Sequence, residues 1–173
     1  MEDFAAIDST KGGSGSTVAI VQARMGSTRL PGKVLADLCG APMLQRQLER
    51  VRRATSLDRV VVATSTDETD LPIAELCESL EVPCFRGDLN DVLARFLGAI
   101  DEFDPEVVVR ITADCPLISP LVIDSIVHSF FESDCDYLSN TLEPTFPDGV
   151  DVEVVRVSAL RALAQLDTDT PER

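Results

Sequence analysis

Long apolar runs, paired cysteines and lysine are all scarce in this 173-residue sequence. No stretch approaches the ~18 apolar residues that a membrane span requires, so no helical span is expected. The cysteines, Cys39, Cys77, Cys84, Cys115 and Cys135, are widely spaced and form no CxxC pair. That argues against a disulfide framework or a structural zinc site and for a reducing, cytoplasmic setting. Lysine occurs only at Lys11 and Lys33, and 15 basic residues face 30 acidic ones, for a formal charge of −15. That sign is wrong for gripping a phosphate backbone or an anionic membrane surface, so neither nucleic acid nor membrane is an expected partner. The single histidine, His128, falls within a predicted helix, and Cys115 has no histidine near it in sequence. No Ser-His-Asp or Cys-His arrangement is supported. Met1 to Thr10 carries Glu2, Asp3 and Asp8 without a basic start or apolar run, unlike a secretory signal.

What is present is the composition of one soluble domain, 45% apolar and 26% charged. Residues 1–16 end in KGGSGS and are expected to be a flexible extension or an added linker. These glycines precede the first strand, so they are not a phosphate loop. From Thr17 to the last residue, short β-rich apolar runs alternate with helical periodicity, the signature of βα units. Strands are predicted at Val18 to Ala23, Arg59 to Thr64, Val82 to Phe85, Val107 to Thr112, Tyr137 to Asn140 and Val150 to Val155. Helices are predicted at Pro42 to Arg53, Thr69 to Leu80, Asn90 to Glu102, Pro120 to Glu132 and Ser158 to Leu166. The expected fold is α/β and Rossmann-like, with a mostly parallel sheet and helices on both faces. Its strands at Val18 and Val107 would end on one sheet edge, where such folds bind ligands.

Directly after the first strand, Arg24 to Lys33 reads RMGSTRLPGK: three cations, two hydroxyls and two glycines in ten residues. This composition suits a polyphosphate cradle. Glycine lets backbone N–H groups approach phosphate oxygens, Ser27 and Thr28 add hydroxyl donors, and Arg24, Arg29 and Lys33 supply charge. The run matches neither the Walker pattern nor GxGxxG, and a polar turn built on Pro31 and Gly32 would share its composition.

Ala23 to Lys33 closely resembles the nucleotide-binding signature of the cytidylyltransferases that make CMP-activated acidic sugars, including CMP-KDO and CMP-sialic acid synthetases. GAPM at Gly40 to Met43, VVVATS at Val60 to Ser65, RGDLNDVLARF at Arg86 to Phe96, RITADCPLI at Arg110 to Ile118 and FPDGVDVEV at Phe146 to Val154 extend the likeness. Together they look most like the spore coat polysaccharide biosynthesis protein F branch. The resemblance implies the nucleotide-diphospho-sugar transferase type of fold, CTP and an acidic sugar as substrates, Mg²⁺ as cofactor and a homodimer. It places Ala23, Arg24, Gly26, Ser27, Thr28, Arg29 and Lys33 on the nucleotide, with Arg24, Arg29 and Lys33 steadying pyrophosphate. Arg86 and Asp91 would contact base or ribose. Asp114 matches the aspartate that holds Mg²⁺, and Asp148, Asp151 and Glu153 would face the acceptor sugar.

Plainer roles suit several of these residues. Asp114, with Pro116 just after it, also suits a turn or an N-cap, Asp91 the first turn of a helix, and Asp151 and Glu153 a solvated strand edge. The DCD at Asp134 to Asp136 evokes the DxD metal motif of nucleotide-sugar glycosyltransferases, but it precedes a strand and reads better as a helix-to-strand loop. Related synthetases run longer, and the DTDTP at Asp167 to Pro171 follows a helix, unlike their metal-completing segment. The chain is therefore expected to be C-terminally truncated, lacking a second metal ligand and part of the acceptor site. Transfer of CMP from CTP to an acidic sugar, for surface polysaccharide or glycan biosynthesis, is the expected activity, with no general base evident. A nucleotide-sugar-dependent glycosyltransferase and a non-catalytic nucleotide-binding module are the alternatives.

Overall fold

The computed structural model describes residues 15–27, 30–142 and 146–166. Six strands form one sheet: β1 (Thr17–Gln22), β2 (Arg59–Ser65), β3 (Cys84–Gly87), β4 (Val107–Thr112), β5 (Tyr137–Ser139) and β6 (Glu153–Arg156), in the order β3-β2-β1-β4-β6-β5. The pairs β1–β2, β2–β3 and β1–β4 are parallel, whereas β6 runs antiparallel to both β4 and β5. Val18, Ala19, Ile20 and Val21 are all buried, as a parallel strand covered on both faces requires.

Among the described residues, five helices cover the sheet: α1 (Met43–Val51), α2 (Leu71–Ser79), α3 (Val92–Phe103), α4 (Pro120–Glu132) and α5 (Val157–Leu166). Leu44, Leu48 and Val51 of α1, Ile73 and Cys77 of α2, and Ile123, Val127 and Phe130 of α4 pack on Ala19, Val21 and Val62. Phe96, Ala99 and Ile100 of α3, with Val157 and Leu160 of α5, pack on Val18, Ile20, Val61 and Val108. The two cores are opposite faces of one sheet, each fully buried Leu or Ile contributing roughly 1.5–3 kcal/mol. None of the described helices is long and apolar enough to cross a membrane.

The sequence-predicted elements recur with shifted ends that have local causes. Pro83 has no N–H to give the sheet, and pairing with β2 begins at Cys84 rather than Val82. A 3-10 turn at Glu68–Asp70 precedes α2, whose first turn contains Pro72. The strand expected from Val150 starts at Glu153 because the Asn140 side chain substitutes for strand partners. Its amide donates to the Val150 carbonyl at 2.9 Å and its oxygen accepts the Val152 N–H at 2.9 Å.

From β1 the chain winds outward through β2 to β3, then returns to place β4 on the other side of β1. The order therefore reverses between β1 and β4, and the carboxyl ends of these strands are where open α/β sheets bind ligands.

Candidate functional site

The loop leaving β1 is folded on itself around one peptide. Ala23 continues the sheet through a 3.0 Å bond to the Ala63 carbonyl, and the Met25 carbonyl then collects two N–H groups, from Ser27 at 3.0 Å and Gly32 at 2.9 Å. Gly32 has φ 71°, a left-handed conformation that glycine adopts without the steric cost borne by a side chain. Ser27 Oγ accepts the Leu30 N–H at 3.3 Å, and Arg24 and Gly26 are exposed on the same loop. A Cβ at Gly26 would meet nothing within 4 Å, so the backbone there is open to a large anion. Thr28 and Arg29 lie outside the described residues.

Across the switch point, α1 clamps the exit of β4. Gln47, fully buried, donates to the Thr112 carbonyl at 2.7 Å, and Arg50 donates to the Ile118 carbonyl at 2.7 Å. The Ala113 N–H bonds the Gln22 carbonyl at 2.9 Å, so Asp114 leaves the sheet beside the loop after β1. Lys33 reaches it: Nζ lies 2.8 Å from Asp114 Oδ2. The Lys33 hydrogen bond holds the Asp114 carboxyl below the usual carboxylate range, so it is ionised at neutral pH. Burial pushes the neighbouring Cys115 thiol up, and the charges of Asp114 and Asp151 push it the same way. Asp151 precedes β6 instead of lying on it. The Ser27 hydroxyl, the cations Arg24 and Lys33 and an ionised aspartate thus share one sheet edge.

The family model for cytidylyltransferases matches residues 18–166. The chain belongs to the cytidylyltransferase family. It is 36% identical over 151 residues, 85% of its own length, to the spore coat polysaccharide biosynthesis protein SpsF of Bacillus subtilis. It is 40% identical over 116 residues, 65% of its length, to a 3-deoxy-manno-octulosonate cytidylyltransferase of Zea mays. Among solved structures, a cytidylyltransferase from Leptospira borgpetersenii superposes on 87% of the chain with TM-score 0.83 and 34% identity. The chain spans 62%, 38% and 64% of those three proteins respectively.

The remaining candidates fall in two other places on this cytidylyltransferase fold. Arg86 directs its guanidinium to backbone, Nε to the Ser65 carbonyl and Nη2 to the Asp67 carbonyl, each at 3.0 Å. Asp91 caps α3, accepting the Ala94 N–H at 2.8 Å. Glu153 pairs with Arg110 and accepts the Tyr137 hydroxyl at 3.1 Å. Arg110, Glu153 and Tyr137 form the polar wall of a hollow of about 620 Å³, whose apolar side includes Phe96, Val155 and Leu163. Asp148 and Asp151 are exposed on the turn leading into β6. Asp136 of the DCD run pairs with Arg156 at 3.5 Å, in the connection from α4 to β5.

Sequence reasoning missed Gln47, Asp70, Arg95 and Arg110. Gln47 sits among the core-facing positions of α1, and Arg110 interrupts an otherwise apolar buried strand; a polar residue at such a position is the one signal that was legible.

Proposed function

We propose that the edge between β1 and β4 binds CTP and transfers its cytidylyl group to an acidic sugar, releasing pyrophosphate. The observation that carries this reading is the ion pair of Lys33 with Asp114 at the switch point, beside the loop of Arg24, Gly26 and Ser27. A triphosphate entering there would draw Lys33 from the carboxylate, while loop N–H groups and Arg24 take up phosphate oxygens. The acceptor hydroxyl would attack the α-phosphate in line. Cations aimed at the departing pyrophosphate would stabilise the charge that develops on it.

Asp114, ionised and 46% exposed, fits Mg²⁺, which commonly takes one or two carboxylates and completes its shell with phosphate oxygens and water. When bound it would neutralise phosphate charge and fix the triphosphate's orientation. Among the described residues no cluster of three ligating side chains offers a fuller cage. Asp148, Asp151 and Glu153 are the groups proposed for the acceptor. Arg86 would act on the nucleotide through the loop after β2, and Asp91 through the start of α3. The cytoplasm and surface-polysaccharide synthesis are the setting this chemistry suits, and a homodimer is the assembly we propose.

The test is pyrophosphate release from CTP with Mg²⁺ across a panel of acidic sugars, run beside calorimetric CTP binding. Release with one acid supports the reading and identifies the acceptor. CTP binding without release from any acid would leave a nucleotide-binding module, and neither would refute the cradle.

A further inference from the structure

Asp70 is a carboxylate that the nucleotide reading does not use, yet it is 1% exposed. A buried carboxylate is tolerated only where hydrogen bonds or charges offset its lost hydration. Its Oδ1 accepts the Met25 N–H at 2.6 Å, and its Oδ2 accepts the Ser65 hydroxyl at 2.5 Å. Met25 is the peptide whose carbonyl gathers the Ser27 and Gly32 N–H groups, so segments 25–27 and 30–32 hang from a group that Asp70 fixes. Ser65 ends β2, and its carbonyl receives Arg86.

Arg95 completes the arrangement from α3. It is 3% exposed, its Nη1 donates to the carbonyls of Asp88 and Leu89, and its Nε has no partner among the described residues. The Arg95 Cα lies 3.2 Å from where a Cβ on Gly87 would stand, so glycine at 87 lets α3 approach β3. Burial disfavours the Arg95 charge, Asp70 supports it and Arg24 opposes it. Two buried side chains thus fix the site's neighbouring segments, Asp70 the loop after β1 and Arg95 the turn at 88–89.

We infer that Asp70 is a positioning residue for the nucleotide. It sets the Met25 peptide, and with it the phosphate-facing loop, relative to the 86–91 turn that Arg95 holds. The inference rests on the reading of that loop as the CTP cradle. Displacing a binding loop by even 1 Å costs far more in function than in packing.

The experiment compares the wild-type chain with Asp70→Ala and Asp70→Asn. It measures calorimetric affinity for CTP with Mg²⁺, and hydrogen exchange at the Met25 amide and at the amides of β1 and β4. In Asp70→Ala the Met25 amide should exchange faster while the strands stay protected, and CTP affinity should fall about 10- to 100-fold, the scale of loss when a binding group is misplaced by about 1 Å. Asp70→Asn keeps an acceptor for Met25 and should fall between. If the alanine variant does not fold, faster Met25 exchange and several-fold weaker CTP binding in Asp70→Asn carry the same expectation. Unchanged Met25 exchange, or wild-type CTP affinity in a folded variant, overturns the positioning role alone. Failure of the wild-type chain to bind CTP overturns the nucleotide reading, and this inference with it.

Discussion

Replacing Asp114 by Asn should change CTP affinity in opposite directions with and without Mg²⁺. In the free chain the carboxylate holds Lys33 at 2.8 Å, with the two side chains 46% and 30% exposed. A pair that open to solvent is worth no more than about 1 kcal/mol, so Asp114→Asn should leave stability nearly unchanged. Without metal, the substitution frees Lys33 for a phosphate oxygen and removes a negative charge facing the triphosphate. Unit charges ~4 Å apart in water interact by about 1 kcal/mol, so metal-free CTP should bind about fivefold tighter. With Mg²⁺ the sign reverses, because the carboxylate that would hold the ion is gone, and affinity should drop about tenfold or more. Titration of both proteins with CTP, once in excess chelator and once in Mg²⁺, reads both effects. A variant that weakens binding in both conditions, or in neither, would refute the arrangement of Lys33, Asp114 and triphosphate argued here.

Other perturbations separate site from scaffold. Asp91→Ala removes the acceptor for the Ala94 N–H and should cost about 1 kcal/mol in urea denaturation, and calorimetric CTP affinity should fall several-fold because the start of α3 loses the cap that holds it beside the nucleotide. Gly98→Ala should destabilise despite alanine's better helix propensity, because the new Cβ would collide with the Phe85 ring; overpacking of this kind costs about 1–3 kcal/mol, read as a lower Tm. Asp124 is held below its ordinary value of 3.8 by hydrogen bonds from Ser56 and Thr55, which outweigh the opposing effect of burial. Its folded value lies below the unfolded one, so its stabilisation is present above about pH 4 and is lost as pH falls through the folded value. Asp124→Asn should therefore be less stable than wild type at pH 7 and show a shallower stability loss on acidification, followed by circular dichroism.

The sheet was legible because β1, β2 and β4 are buried on both faces, and their continuous apolar runs leave little choice of assignment. The antiparallel direction of β6 was not: a four-residue strand has no periodicity that reveals which way it runs. In the site, glycines and cations next to a strand end pointed at the loop, and Asp114 was singled out by its match to the family's aspartate just beyond β4. Asp70 was hidden within the acidic run TDETD, since a local pattern does not show which of three carboxylates turns inward. Arg86 and Asp91 are a different case. Each makes the backbone contacts that its local sequence allows, an arginine on loop carbonyls and an aspartate on a helix start, and these contacts orient the turn whether or not a nucleotide is present.

An acidic chain that takes an anionic ligand must make the local field differ from the global one. The formal charge of −15 is spread over the whole sequence, and at physiological ionic strength charges farther than about 8 Å from a point contribute little there. Within that radius the loop after β1 presents Arg24 and Lys33, and Asp114 holds Lys33 in place until a ligand competes for it. The same carboxylate repels phosphate alone and favours phosphate that arrives with a divalent cation. Asp114, and not the net charge, thus acts as a filter against bare anions. Raising salt should therefore weaken binding of metal-free triphosphate less steeply than at a purely cationic site, because repulsion from Asp114 is screened together with the attraction of Arg24 and Lys33.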